Sequence, residues 1–345
     1  MEQRLTELWY RERARPSLLQ PLAWGYGAVL GLRRGAYASG WLRTHHAGKP
    51  LVVVGNLTVG GTGKTPLTIW LARELGARGL KVGVVSRGYG SRNSRQPRLV
   101  DPGAPWREVG DEPLLLARRT ACPTMVSSDR VAAARALAAR GVDVIVADDG
   151  LQHLRLARDC EIIVIDGARG FGNGRVLPAG PLREPVTRLR EADALVVTGA
   201  IGPPSLRQAL AGRTPFGMVL AAAEAVRLDG LEAPRPLASF GGQRVHAVAG
   251  IGNPARFFGE LRTHGIAVIE HPFPDHHPFT SADLQFADEM PVLMTEKDAV
   301  KCTAFANPRL WYVPVVARFS AGDARELLAR VLAKVPGPAA TGGQV

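Results

Sequence analysis

Short runs of Val, Ile and Leu alternate with stretches whose apolar residues recur every three to four positions, and the alternation persists along most of the chain. The apolar runs at 51–55, 81–86, 123–127, 143–147, 161–165 and 194–198 predict buried strands. Between them the pattern becomes helical. The clearest case is 129–140, alanine-rich, with Asp129 placed to cap it and Gly141 to stop it. Another is 66–75, where Leu67, Trp70, Leu71 and Leu75 recur at helical spacing and Gly76 and Gly79 follow. Strands alternating with helices predict a mostly parallel sheet covered on both faces. The apolar stretch 216–228 lacks helical punctuation and reads as an extended connector, and the Gly/Pro-bearing segment 229–242 as a boundary. Strands at 245–249, 266–270, 292–295 and 311–315 then predict a second, smaller α/β unit. The expected organisation is a segment 1–48, a first α/β domain 49–215, a connector 216–242, a smaller α/β domain 243–335 and a disordered tail 336–345.

Chemistry concentrates where the first strand meets the first helix. The run Gly60-Gly61-Thr62-Gly63-Lys64-Thr65 directly follows the apolar residues 51–55. A buried strand, a glycine-rich turn and a helix form the arrangement that binds a nucleoside triphosphate. The glycines let backbone N–H groups turn towards the phosphates, the lysine reaches the β and γ oxygens, and the following hydroxyl ligates Mg²⁺. These six residues are the nucleotide-binding candidates, and the fold they select is a P-loop NTPase-type α/β sheet with a smaller C-terminal α/β domain. One position departs from the usual spacing: Thr58 stands where a glycine, five residues before Gly63, is the norm.

Asp148-Asp149 closes the strand at 143–147. In a parallel sheet that end lies on the side of the phosphate loop, so one of the two acids is expected to hold Mg²⁺, directly or through water; a cap or surface turn is the plainer alternative. Asp111-Glu112 precedes a helical stretch at 114–119, and on the residues alone capping by Asp111 explains the pair. Ser86-Arg87-Gly88-Tyr89 ends the second strand: Arg87 could grip a phosphate and Tyr89 stack on a sugar, or the four could form a simple turn. The stretch 170–185 bears Asn173, Arg175 and Arg183 among glycines and prolines. Loops of that size are lids or disordered, and Arg183 suits neutralising a transferring phosphoryl group. Asp275-His276-His277 resembles a metal cluster by composition, yet without companion ligands nearby it reads better as a hydrogen-bonding or acid/base element. Thr295-Glu296-Lys297-Asp298 lacks guanine-reading spacing, which favours ATP over GTP.

Composition alters this picture in two places. The 345 residues carry 43 basic and 31 acidic side chains, a net charge of +12 that favours an anionic partner. The basic residues are not interleaved with stacking aromatics, so a nucleic-acid partner is not expected. Three scattered cysteines without ligand spacing argue against a disulfide framework and fit a reducing compartment. The first fifty residues hold eight Arg/Lys against three acids. Their apolar stretch is too short for a bilayer, which takes ~20 residues, and Arg33-Arg34 directly after it argues against a cleaved signal peptide. A basic, aromatic helix lying in the membrane interface fits better; a helix packed on its own domain is the competing reading.

Together, residues 54–66, Ser86-Arg87-Gly88-Tyr89, Gly110-Asp111-Glu112-Pro113, Asp148-Asp149-Gly150-Leu151-Gln152-His153, the 177–185 loop and Asp275-His276-His277 resemble the tetraacyldisaccharide 4′-kinases, the lipid A kinases of Gram-negative bacteria. The likeness runs from about residue 5 to about 320, and the family carries the same variant loop with Thr58. It implies transfer of the ATP γ-phosphate to the 4′-hydroxyl of a tetraacylated glucosamine disaccharide 1-phosphate, forming lipid IVA in lipid A biosynthesis. Asp111 then becomes the catalytic base rather than a cap, assisted by His276 or else His277. Lys64 and Arg183 act on the transferring group. Thr65, Glu112 and the Asp148/Asp149 pair arrange Mg²⁺, and Gln152 contacts the nucleotide. Arg87, Tyr89 and Asn173 meet the lipid head group. The expected partners are the acylated disaccharide lipid and the cytoplasmic leaflet of the inner membrane, with the protein a peripheral or monotopic monomer. The competing function is a membrane-associated P-loop ATPase that switches partners, which needs neither the second domain nor an arginine-bearing lid.

Overall fold

The computed structural model describes residues 8–10, 18–88 and 95–335. Helix α1 (Gln20–Ala38) precedes the strands β1 (Leu51–Gly55), β2 (Val82–Ser86), β3 (Arg98–Leu99), β4 (Thr124–Val126), β5 (Val144–Asp148), β6 (Cys160–Asp166), β7 (Ala194–Thr198) and β8 (Phe216–Ala221). Helices α2 (Lys64–Gly76), α3 (Trp106–Val109), α4 (Asp111–Thr120), α5 (Arg130–Ala139) and α6 (Pro204–Ala209) lie among them. There follow β9 (Glu224–Arg227), β10 (Arg235–Pro236), β11 (Arg244–Ala249), α7 (Pro254–Thr263), β12 (Ala267–Pro272), β13 (Val292–Thr295), α8 (Glu296–Cys302), β14 (Leu310–Val313), β15 (Val316–Phe319) and α9 (Ala321–Lys334).

A nine-stranded sheet has the order β15-β8-β7-β6-β1-β5-β2-β4-β3. Its interior is parallel throughout; only the edge strands β15 and β3 pair antiparallel. Every residue of β1, β2, β5, β6 and β7 is buried, as expected for parallel strands with helices on both faces. Leu67, Leu71 and Leu75 of α2 pack with Leu327 and Val331 of α9 on one face. Val131, Ala134 and Leu137 of α5 cover the other. A six-stranded sheet, β10-β9-β14-β13-β11-β12, forms the smaller lobe, where Phe240, Phe257, Phe258 and Trp311 fill one face.

The stretch 216–228 is extended, but it is not free-standing connector: β8 joins the large sheet and β9 the small one. The chain crosses back after β14. β15 pairs antiparallel with β8, Val316 opposite Ala221, and α9 packs on the large sheet. Residues 316–334, expected in the smaller domain, thus complete the larger one. Their apolar pattern states that they are buried, not against which sheet. The tail 336–345 and Tyr89 lie outside the described residues.

Among the described residues the lobes meet at the glycine-rich loop and at α4. Gly252, after β11, lies against the glycine-rich loop, so closely that a Cβ on it would stand 2.6 Å from Gly61 N and 2.7 Å from Gly60 Cα. Farther out α8 packs on α4, with Val300 in a cluster with Leu114, Leu115 and Ala117. Arg119 of α4 pairs with Glu296 across the same contact.

Candidate active site

The phosphate loop leaves β1 through Gly55, where a Cβ would stand 2.6 Å from Leu151 Cβ. Thr58, at the position where glycine is usual, is buried and forms an antiparallel bridge with Leu182, and the neighbouring Val59 N–H donates to Pro181 O at 2.9 Å. The departure from the common spacing thus has a local cause: this residue serves as a strand segment against the 177–185 loop and is not among the positive-φ positions. Gly60 (φ 96°) and Gly63 (φ 100°) do need glycine, and Gly63 opens α2 with no side-chain cap, leaving its first N–H groups available to an anion. Thr198 Oγ1 donates to Thr62 O at 2.8 Å and braces the loop from β7. Lys64 Nζ donates to Asn56 Oδ1 at 3.0 Å and lies 3.6 Å from Asp149. Thr65 is half-buried in the first turn of α2.

Asp148 and Asp149 sit in different surroundings. Asp148, the last residue of β5 and level with Val54 of β1, is buried. Its Oδ1 accepts from Thr68 Oγ1 at 2.9 Å, while Oδ2 has no partner among the described residues. Burial, then Glu112 and Asp149, push this carboxyl up to about 7, against the pull of Lys64. Asp149 has φ 47° and turns outward to Arg183, whose two terminal nitrogens donate to its oxygens at 3.0 and 2.9 Å. Burial, which opposes its ionisation, is outweighed by Lys64 and Arg183, which hold the group well below the usual carboxylate range. Arg183 also donates to Asn56 O at 3.3 Å, as does Gln152 Nε2 at the same distance. Lys64, Arg183 and Gln152 therefore converge on Asn56, a residue that the 54–66 motif includes and to which the sequence reading gave no role.

Helix α1 contacts this group from behind. Tyr26 Oη donates to Arg183 O at 3.1 Å, Arg33 to Gln152 O at 3.1 Å, and Arg34 pairs with Glu184 at 2.8 Å. One face of the helix packs on the domain, as the competing reading expects, and the other exposes Leu22, Trp24, Val29 and Leu32, with Trp41 beyond. Among the described residues no helix is long and apolar enough to cross a membrane.

Arg87, directly after β2, is exposed, and its charge, with that of buried Arg130, bears on His153. Arg130 Nη2 donates to Asp148 O at 3.3 Å, and burial lowers the guanidinium to about 10. Asn173, expected among the lipid contacts, has its amide bonded within its own loop: Nδ2 donates to Ala179 O at 2.8 Å and Oδ1 accepts from Arg175 N at 3.1 Å.

Asp111 is the first residue of α4, and its carboxylate is not a side-chain cap, that place being taken by Gly110. It is buried, and both its oxygens lie against His276 Nδ1, at 3.0 and 2.9 Å. His276 comes from the smaller lobe at φ 59°. Burial would raise the Asp111 carboxyl, but Lys297, His276 and Lys301 outweigh it and hold it at about 2. For His276 burial pulls the other way, and the Asp111 contact prevails and raises it. His277 instead faces Asp283 at 3.3 Å, with its ring against Phe273 and Phe279. Lys297 Nζ donates to Glu112 Oε1 at 2.9 Å and Asp275 Oδ1 at 3.2 Å. Neither Lys297 nor Lys301 was singled out for chemistry. The available signal was a lysine pair four residues apart directly after a predicted strand end.

Comparison with known proteins places the whole chain. The profile of the tetraacyldisaccharide-1-P 4′-kinase family matches residues 15–334. The tetraacyldisaccharide 4′-kinase of Alkalilimnicola ehrlichii is 52% identical over 316 residues, covering 91% of this chain and 92% of the relative. That of Xanthomonas campestris pv. campestris is 50% identical over 331 residues, covering 94% of each. The crystal structure of LpxK from Aquifex aeolicus in complex with ATP superposes with a TM-score of 0.74 at 29% identity, over 91% of this chain and 98% of that one. A variant phosphate loop, a strand-end acid pair and an aspartate–histidine contact between lobes thus coincide with whole-length similarity, and the chain belongs to the tetraacyldisaccharide-1-P 4′-kinase family.

Proposed function

We infer that this protein transfers the γ-phosphate of ATP to the 4′-hydroxyl of a tetraacyldisaccharide 1-phosphate, and that Asp111 is the base. The observation that carries the assignment of the base is the Asp111–His276 contact at 2.9 Å, made by opposite lobes that also meet over the phosphate loop. The new P–O bond forms from the acceptor oxygen as the β–γ bridging bond breaks and ADP leaves. The hydroxyl proton passes to the Asp111 carboxylate. A carboxylate held near 2 is a weak base, so it orients the hydroxyl first and takes the proton late, once bonding to phosphorus has acidified it, as suits a loose phosphoryl transition state. His276, hydrogen-bonded to Asp111, fixes that orientation. Lys64 and Arg183 neutralise charge on the phosphoryl oxygens.

The donor set suits Mg²⁺. Asp148 offers a buried oxygen with no partner among the described residues, Glu112 is near enough to raise its pKa, and Thr65 supplies a hydroxyl. Among those residues no three His, Cys, Asp or Glu side chains form a cluster able to hold a metal on their own; Mg²⁺ is commonly bound by one or two carboxylates together with substrate phosphates. Bound there, the ion would neutralise charge on the phosphates. Arg87 and Tyr89 are read as meeting the lipid head group. The exposed apolar face of α1, flanked by Arg33 and Arg34, is read as lying on the anionic cytoplasmic leaflet that presents the lipid.

The test is direct. Purified protein with ATP, Mg²⁺ and tetraacyldisaccharide 1-phosphate in detergent should yield a bisphosphorylated lipid whose new monoester is at the 4′ position by ³¹P NMR. ATP hydrolysis without transfer would contradict the reading.

A further inference from the structure

Helix α8 lies beside the Asp111–His276 contact, although the proposed reaction gives none of its residues a part. Lys301 has a fully buried side chain, its ammonium 2.8 Å from Asp298 Oδ1 and 3.8 Å from Asp111 Oδ2, 5.0 Å from the centroid of the Phe279 ring. Lys297, one turn earlier, holds Glu112 at 2.9 Å and Asp275 at 3.2 Å, and lies 3.4 Å from His276 Nε2. Asp298 accepts from Gly250 N at 2.8 Å, and Gly250 O accepts from His276 N at 3.3 Å. Two adjacent acids opening α4 thus face two lysines one turn apart on the other lobe, and the loop bearing His276 is tied to the same helix.

Stability alone does not select lysine at position 301. A buried ammonium is costly to desolvate, and an apolar side chain in its place is commonly neutral or stabilising. The geometry at Asp111 gives a reason for it. His276 Nδ1 is nearly equidistant from both carboxylate oxygens, at 3.0 and 2.9 Å, so that contact by itself does not set the rotation of the group. The Glu112 N–H anchors Oδ1 at 2.8 Å, and the Lys301 ammonium stands on the side of Oδ2.

We propose that Lys301 and Lys297 are positioning residues of the transfer reaction, which set the Asp111 carboxylate against His276 and hold the lobes where that pair exists. This rests on the reading of Asp111 as base. The test measures kcat, KM for ATP and the thermal midpoint in the lipid phosphorylation assay. Lys301→Met should lower kcat about 10²-fold and Lys297→Met, less buried, about tenfold, each leaving KM for ATP within about threefold. In an Asp111→Asn background Lys301→Met should cost no more than about twofold further, because groups acting as one unit are not additive. Lys301→Met strands Asp298, so Asp298→Asn/Lys301→Met is the control: its thermal midpoint should recover and its kcat should not. Wild-type kcat in a folded Lys301 variant, or equal costs of Lys301→Met in the two backgrounds, overturns the proposal while leaving the base assignment intact. Normal turnover by Asp111→Asn removes the base assignment itself, and the proposal with it.

Discussion

The phosphate side of the site and the base side are built in different ways. On the phosphate side the groups lie at adjacent strand ends of one sheet: Val54 of β1 is level with Asp148 of β5, and the loop runs from β1 straight into α2. On the base side Asp111 opens a helix of one lobe, His276 sits in a strained loop of the other, and α8 holds both. Backbone hydrogen bonds of a buried sheet preorganise the first arrangement. The second exists only where the lobes meet, which makes it the part that a hinge can gate. The two crossings between sheets, β8 to β9 and β14 to β15, lie side by side and are where such a hinge would bend. Nucleotide binding and phosphoryl transfer should therefore be separable by mutation.

Lys64→Ala attacks the phosphate side and should have the largest effect, lowering transfer about 10³-fold and weakening nucleotide binding with it. Calorimetric binding at wild-type strength together with intact transfer would break the comparison. Gly252→Ala attacks the meeting of the halves, because its Cβ would stand 2.6 Å from Gly61 N and force the lobes apart. Transfer should fall about 10²-fold, as for a misplacement of about 1 Å, with nucleotide affinity changing less; equal losses in both would show that the lobes do not separate the two steps. Leu22→Glu/Val29→Glu places charge on the exposed face of α1 and should abolish sedimentation with anionic vesicles, while turnover in detergent stays within about twofold, as for surface changes. Unchanged sedimentation removes that face from the account.

The smallest effect concerns pH. Burial first, then Arg130 and Arg87, lower His153 from its ordinary 6.5 to about 3, so it is neutral in the fold. Below pH 6.5 the unfolded chain then binds more protons than the native one, and stability falls as pH drops from 6.5 towards 3. His153→Asn should flatten the decline of the thermal midpoint between about pH 7 and about pH 5. An unchanged slope would contradict the assignment.

The contrast between the two sides also accounts for what the sequence made legible. Loop, strand and acid pair are contiguous, so periodicity and spacing placed Gly60, Lys64 and Asp148 at one sheet edge. Asp111 and His276 are 165 positions apart, and the residues alone favoured a helix cap at Asp111; only the family resemblance joined the two. Lys297 lay inside a motif quoted only to exclude guanine recognition, and Lys301 just beyond it, because a lysine on a short helix carries no sign of what faces it. For Asn173 the resemblance implied a lipid contact, and the pattern carried no sign that its amide also braces its own loop. The return of residues 316–334 to the large sheet was hidden for a similar reason, since strand pattern encodes burial and not partner.

The central claim is that transfer depends on a pair assembled between the lobes, distinct from the loop that holds the nucleotide. Asp111→Asn, measured for ATP affinity by calorimetry and for lipid phosphorylation in one preparation, tests it most directly. The account predicts a Kd for ATP within about threefold of wild type and transfer lowered by about 10²–10⁴-fold. Transfer at the wild-type rate, or a parallel loss of ATP binding, would contradict it.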